Sequence, residues 1–140
     1  MKKSTEELLK ILKHTPDIKT YFSNEQDNVI NLSLSEYLQN LCLEKNISRA
    51  QCIKQSGLDK GYGYDIFSGA KHPTRDKLLA ICFGFSLSLE EVQSLLKASA
   101  YPILYAKDKR DSVIIFALQR HCSLMDTNEL LLDMELKLIE

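Results

Sequence analysis

The sequence predicts an all-α protein, and three observations support this fold class. Apolar residues recur at helical spacing, N-cap patterns precede these apolar segments, and no segment alternates apolar and polar residues over strand length. The chain has 140 residues, of which 44% are apolar and 26% charged, with 5 Gly and 3 Pro. A chain of this length and composition buries a real core without metal or disulfide support, so we expect one compact soluble domain.

The first 32 residues are predicted to hold one short helix and a linker. Leu8, Leu9 and Leu12 form an amphipathic stripe. The helix is expected to stop before Pro16, because proline disfavours helical backbone in the residue preceding it. The polar stretch from Ser23 to Asn31 is predicted to be a linker.

Residues 33–100 are predicted to form a domain of short helices. After Ser33 the apolar residues fall on one face of a helix that is expected to end near Asn46. A similar spacing follows Thr74, and another follows Ser88. In the capping pattern an N-cap oxygen and the side chain three residues later satisfy free backbone amides. It occurs at Ser33, Ser48, Ser88 and Asp126.

Residues 101–140 are predicted to form a C-terminal helical extension. The break at Tyr101-Pro102 precedes the run from Val113 to Leu118, which is apolar on every face. The stretch from Leu130 to Ile139 is read as a second helix with more than one apolar stripe. This extra apolar surface either completes the core, forms a homodimer interface or belongs to a ligand-sensing element.

The segment from Ser48 to Pro73 carries the functional signal. A helix, Gly57, a short turn and a second helix capped by Asp59 follow one another, as in a helix-turn-helix. The register of Ser48, Gly57, Ile66 and the run Gly69-Ala70-Lys71-His72-Pro73 resembles the Cro/C1-type (XRE) family of regulators. The resemblance implies a five-helix, lambda-repressor-like core, with the extra helix before it and the two helices after it. It also implies binding to double-stranded DNA.

Two residues of this segment depart from the family pattern. Ile53 occupies a position where the family usually has a small alanine, and Gly63 replaces an aliphatic residue of the recognition helix. Gly61 adds a second glycine to that helix. Two interpretations remain open: the glycines let the backbone or the neighbouring tyrosines approach a partner closely, or the helix has diverged and no longer reads DNA.

Positive charge is concentrated on the same segment. From Lys45 to Lys77 there are seven cations and three anions, a local charge of +4 in a chain whose net charge is −1. If DNA is the partner, basic side chains on the flanking helices meet phosphates and residues near the start of the recognition helix meet base edges. The phosphate candidates are Arg49, Lys54, Lys71 and Arg75, and the base-edge candidates are Lys60, Gly61, Tyr62, Tyr64 and Asp65.

Other classes of function have little support in the sequence. Cys42, Cys52, Cys82 and Cys122 lack zinc-ligand spacing, and His14, His72 and His121 belong to no catalytic motif. We therefore expect a cytoplasmic, non-enzymatic regulator of transcription without metal, cofactor or membrane span, acting as a homodimer. The alternative is a protein-interaction module, adaptor or antitoxin-like, which keeps the helix-turn-helix fold with weak or no DNA binding.

Overall fold

The computed structural model describes residues 3–25 and 33–140, and within these ranges the protein is all-α. The described residues form nine helices and no strand. The chain divides into two compact units between residues 31 and 32, so that the first two helices belong to one unit and the other seven to the second. The helices are α1 (Thr5–His14), α2 (Ile18–Asn24), α3 (Leu34–Lys45), α4 (Arg49–Gln55), α5 (Lys60–Ser68), α6 (Arg75–Gly84), α7 (Leu89–Ala98), α8 (Lys109–Gln119) and α9 (Leu124–Asp133).

The N-terminal unit contains one helix more than the sequence predicts. The helix α1 ends before Pro16 as expected, but α2 follows it after a short connection. Asp17 starts α2, because its carboxylate accepts hydrogen bonds of 2.9 Å from the backbone amide and the hydroxyl of Thr20. The predicted linker from Ser23 to Asn31 is wrong over the last residues of α2, and its residues 26–31 lie outside the described part of the chain.

Of the four residues with the capping pattern, three are confirmed as N-caps, and Ser88 also has the reciprocal bond from the Glu91 side chain. The hydroxyls of Ser33, Ser48 and Ser88 each accept the backbone amide three residues later. The fourth is wrong, because Ser123 caps α9 and Asp126 lies within the first turn of that helix. Both residues fit the capping pattern, and Leu124, the first residue of α9, packs against the core.

The helix α6 lies at the centre of the larger unit. Every residue from Leu78 to Gly84 is buried, and α6 contacts both α4 and α9. A helix that is apolar all round has to be enclosed by other elements, which here include the C-terminal helices. Residues 101–140 therefore pack on the same core as residues 33–100, within one compact unit. The largest fully buried side chains include Phe67, Phe85, Leu38, Ile66, Leu78, Leu96, Ile114 and Leu131.

The C-terminal segment departs from the predicted helix between Leu130 and Ile139. The helix α9 ends at Asp133, and Glu135 adopts a left-handed backbone conformation with φ of 57°. The following residues run back without helical structure. The side-chain amide of Asn128 holds them, accepting from the Ile139 amide at 2.8 Å and donating to the Ile139 carbonyl. The two predicted apolar stripes are therefore not continuous, and Ile139 is buried in the core.

A close contact between α4 and α5 joins the two residues that depart from the family pattern. Ile53 of α4 lies directly against Gly63 of α5, where a Cβ on the glycine would be 2.7 Å from Ile53 Cγ2 and 2.8 Å from Cγ1. Real Cβ atoms are essentially never this close to another atom. The isoleucine and the glycine are thus complementary in size, and the large residue on one helix fills the space that the small one leaves on the other.

Candidate nucleic-acid interface

The helices α4 and α5 meet at a short connection that sets the direction of α5. Gly57 has φ of 68°, a left-handed conformation that glycine adopts without strain, as the sequence predicts. Asp59 then caps α5, because its carboxylate accepts the Tyr62 backbone amide at 3.1 Å, which confirms the predicted role. Packing of the buried Ile66 and Phe67 holds the other end of α5 in the core.

The first turn of α5 faces solvent. Lys60 and Gly61 are exposed, whereas the other base-edge candidates, Tyr62, Tyr64 and Asp65, are half-buried. The carboxylate of Asp65 lies 3.7 Å from the ammonium of Lys71, so these two charges partly neutralise each other. Of the five candidates, Lys60 and Gly61 form the most exposed edge.

Cations from three parts of the chain surround the two tyrosines of α5. The ammonium of Lys71, which lies after α5, is 5.3 Å from the ring centre of Tyr62, and that of Lys77 on α6 is 5.8 Å from it. The guanidinium of Arg49 on α4 is 5.7 Å from the ring centre of Tyr64. Cation–π contacts of this kind hold the long basic side chains against the aromatic faces. We call these five residues, together with Lys60 and Gly61, the basic-aromatic surface.

Two residues are absent from the sequence-based site: Lys77, which belongs to this surface, and Tyr101, which lies beside it. Lys77 is among the cations of the charged segment, and it lies in the first turn of α6, three residues after the N-cap Thr74. This charge near the start of a helix is the local feature that could have identified it. Tyr101 gives no local signal, because it is 29 residues away in the chain from its partner His72. The rings of His72 and Tyr101 stack at 5.4 Å, and the Tyr101 hydroxyl donates to the Pro73 carbonyl. Burial raises the pKa of Tyr101, with a further contribution from Tyr62.

The predicted phosphate contact of Arg75 is at odds with the geometry of its guanidinium. Two of its nitrogens donate to the carboxylate of Asp111 at 3.0 and 2.9 Å, and the remaining bonds go to the carbonyls of Pro102 and Ile103. Four N–H groups are therefore engaged within the protein. A matching pair joins Arg110 to Asp76, so that the start of α8 is clamped to the start of α6. Arg75 thus serves the fold and not the basic-aromatic surface.

Asp111 of α8 is the partner of Arg75 in this contact between α6 and α8. Burial tends to raise the pKa of its carboxyl group, but hydrogen bonds from Arg75 and from the Tyr105 amide, with the positive charges of Arg75 and Arg110, outweigh it. The pKa of Asp111 is therefore below its ordinary value. The carboxylate of Asp111 is ionised at neutral pH and therefore remains paired with Arg75.

Lys54 lies on a different side of α4 from Arg49. The two residues are five positions apart, which is about 140° around a helix of 3.6 residues per turn. Lys54 lines a groove with Gly57 and with Leu124, Met125 and Leu132 of α9. The structure therefore brings Arg49, Lys71 and the α5 residues together, and leaves Lys54 and Arg75 outside the group.

The cysteines form no metal site among the described residues. Cys52 and Cys82 are buried, Cys42 and Cys122 are half-buried, and all four are free thiols. Burial raises the pKa of Cys52 to about 12, and burial also raises the pKa of Cys82. No group of three or more His, Cys, Asp or Glu side chains in residues 3–25 and 33–140 is arranged to hold a metal ion.

Within the described ranges, no helix has the length and apolar character needed to cross a bilayer. The basic-aromatic surface, in the larger unit, combines exposed charge, aromatic rings and an accessible helix start.

Comparisons with models of protein families, with curated proteins and with solved structures find no match for this chain.

Proposed function

We propose that this protein is a sequence-specific DNA-binding regulator of transcription of the XRE type. The observation that carries the proposal is the convergence of Arg49, Lys71 and Lys77, from three separate parts of the chain, on the rings of Tyr62 and Tyr64 in the N-terminal half of α5. Duplex DNA carries regularly spaced phosphates on both sides of its grooves. Cations that flank a helix start on several sides match that pattern of charge.

The residues of the surface divide into two roles under this proposal. Arg49, Lys71 and Lys77 contact phosphates and fix the orientation of the protein, while Lys60 at the tip of α5 reaches base edges. A lysine ammonium suits the O6 and N7 acceptors of guanine in the major groove. Tyr62 and Tyr64 act chiefly by holding the cations in place, because both rings are half-buried beneath them.

The proposal includes a homodimer that acts in the cytoplasm. Regulators of this type read two half-sites about one turn of DNA apart, which requires a two-fold axis. The described surface of α8 and α9 includes exposed Phe116, Met125 and Leu132, whose side chains are 44%, 73% and 65% exposed. These apolar side chains on neighbouring helices form the dimer contact in this proposal.

Selection of bound fragments from a genomic DNA library by the purified protein tests the function and supplies its site. Binding of the enriched duplex is then measured by fluorescence anisotropy at several salt concentrations. Arg49→Gln and Lys71→Gln should each weaken binding to all sequences and lower the slope of log affinity against log salt by about one. Lys60→Gln should change the sequence preference instead.

Lys54→Gln is the matched control, because it removes the same charge from another side of α4. We expect it to leave affinity and salt slope close to those of the unaltered protein. Binding that ignores salt and all these substitutions would contradict the proposal. An empty selection would favour the alternative, a protein-interaction module, for which the exposed apolar residues Met125 and Leu132 of α9 are the supporting observation.

A further inference from the structure

Four of the five glycines in this protein have a role in the fold. Gly57 and Gly69 adopt left-handed backbone conformations, with φ of 68° and 87°. Gly63 lies against Ile53, and a Cβ on Gly84 would be 2.5 Å from the carbonyl oxygen of Cys52. Replacing any of these four with a larger residue would strain the backbone or create a clash.

Gly61 differs from the other four. It lies in the first turn of α5 with ordinary helical backbone. Beyond its chain neighbours and the helix backbone, a Cβ there would have one neighbour within 4 Å among the described residues, the Asp59 carboxylate oxygen, at the normal contact distance of 3.5 Å. Glycine is among the least favourable residues in a helix, so this position lowers the stability of α5 without any gain in packing. The fold accepts a side chain at position 61 and does not use the space left by the glycine.

Gly61 is also an exposed residue of the basic-aromatic surface. Its neighbours in the chain are Lys60, which is exposed, and Tyr62, which is held beneath Lys71 and Lys77. Lys60 and Gly61 are both exposed, whereas the rings of Tyr62 and Tyr64 are half-buried. A glycine that the fold does not need thus lies on the exposed part of the basic-aromatic surface, where the lack of a side chain lets a partner approach the backbone closely.

We infer that Gly61 is a close-approach residue, at which duplex DNA packs directly against the backbone of the first turn of α5. This inference rests on the proposed function and adds to it a residue that acts by having no side chain. A methyl group at this position holds the helix away from the DNA, and a larger group holds it further away. Affinity is therefore expected to fall as the side chain at position 61 grows.

The test compares Gly61→Ala and Gly61→Leu with the unaltered protein. Alanine should raise the ratio of folded to unfolded protein about fivefold in urea titrations, because it favours the helix. Leucine should also stabilise α5. On the enriched duplex, alanine should weaken binding about tenfold and leucine considerably more. If the contact is to the DNA backbone, the same order of affinity, with glycine highest and leucine lowest, is expected on a labelled duplex of mixed sequence at low salt.

Ser94→Ala is the matched control, since Ser94 is exposed midway along α7 and alanine stabilises that helix without adding to the basic-aromatic surface. It should leave DNA affinity unchanged. Unchanged or tighter binding by both Gly61 variants overturns the inference while leaving the proposed function intact. Equal weakening by alanine and leucine also overturns it, because that result indicates a need for a flexible helix. Failure of the unaltered protein to bind any duplex rejects the proposed function itself.

Discussion

Gly63→Ala should have opposite effects on stability in two backgrounds that differ only at Ile53. With isoleucine present, the new methyl group meets Ile53 Cγ2 at 2.7 Å and Cγ1 at 2.8 Å. Isoleucine is branched at Cβ and strongly prefers one χ1 rotamer in a helix, so it does not turn aside easily. With Ile53→Ala, the same methyl group enters space that the isoleucine has vacated.

The expected magnitudes follow from this geometry. Overpacking costs about 2 kcal/mol, and the gain in helix propensity on replacing glycine offsets about 1 kcal/mol, so Gly63→Ala should destabilise the protein by about 1 kcal/mol. Ile53→Ala alone should cost about 3 kcal/mol or more, because Gly63 has no side chain to fill the cavity. Adding Gly63→Ala to that variant should recover about 1.5 kcal/mol, from helix propensity and one buried methyl group.

Urea titrations of the four proteins of this cycle, followed by circular dichroism at the helix wavelength, measure the coupling between the two residues. We expect a coupling energy of about 2.5 kcal/mol and no change in the dependence of stability on urea concentration. Gly61→Ala is the control, since it should stabilise both backgrounds by about 1 kcal/mol. If Gly63→Ala has the same effect in both backgrounds to within about 0.5 kcal/mol, the complementary packing of α4 and α5 is refuted.

Three further predictions concern the C-terminal clamp, the thiols and the dimer. Asp111→Asn should lower the unfolding free energy by about 2 kcal/mol, since it leaves Arg75 partly unpaired. Because the pKa of Asp111 is lowered in the folded protein, the unaltered protein should lose this contribution as the pH falls below about 4. Urea titrations at several pH values should therefore show that the unfolding free energy of the variant decreases less steeply in acid. An equally steep decrease in the variant would contradict this role. A maleimide at neutral pH should leave Cys52 and Cys82 unmodified in the folded protein and label all four thiols in urea, as read by intact mass, whereas rapid labelling of the buried pair would exclude the burial described. Leu132→Asp should convert the proposed dimer to a monomer in light scattering without loss of helix, and a dimer that survives would move the interface elsewhere.

The helices and their beginnings are largely predictable because they depend on residues close together in the chain. Ser48 and Asp59 cap their helices through amides three residues later. Gly57 provides the left-handed turn from its own lack of a side chain. Errors arise where two local patterns compete, as at Ser123 and Asp126, since both residues fit the capping pattern and lie only three positions apart.

The candidate site is predictable in part. The first turn of α5 and its nearby cations follow from the helix-turn-helix pattern, and Lys60 and Gly61 are exposed as that pattern requires. The side-chain partners of Arg75 and Lys71 do not follow from it. Each side chain bears the same charge, and only the position of a distant carboxylate or ring determines whether that charge is used inside the protein or remains at the surface.

The sequence by itself determined the helical class, the location of the α4–α5 motif and most of the helix boundaries, because helical spacing, capping and glycine conformation act over a few residues. Only the tertiary structure decided three other matters. It paired Arg75 with Asp111 across 36 positions in the chain, and it packed the large side chain of Ile53 against Gly63, which has no side chain. It also separated Gly61, which the fold does not need, from four glycines that it does. Contacts between distant residues depend on how whole helices pack, and no local pattern encodes that packing.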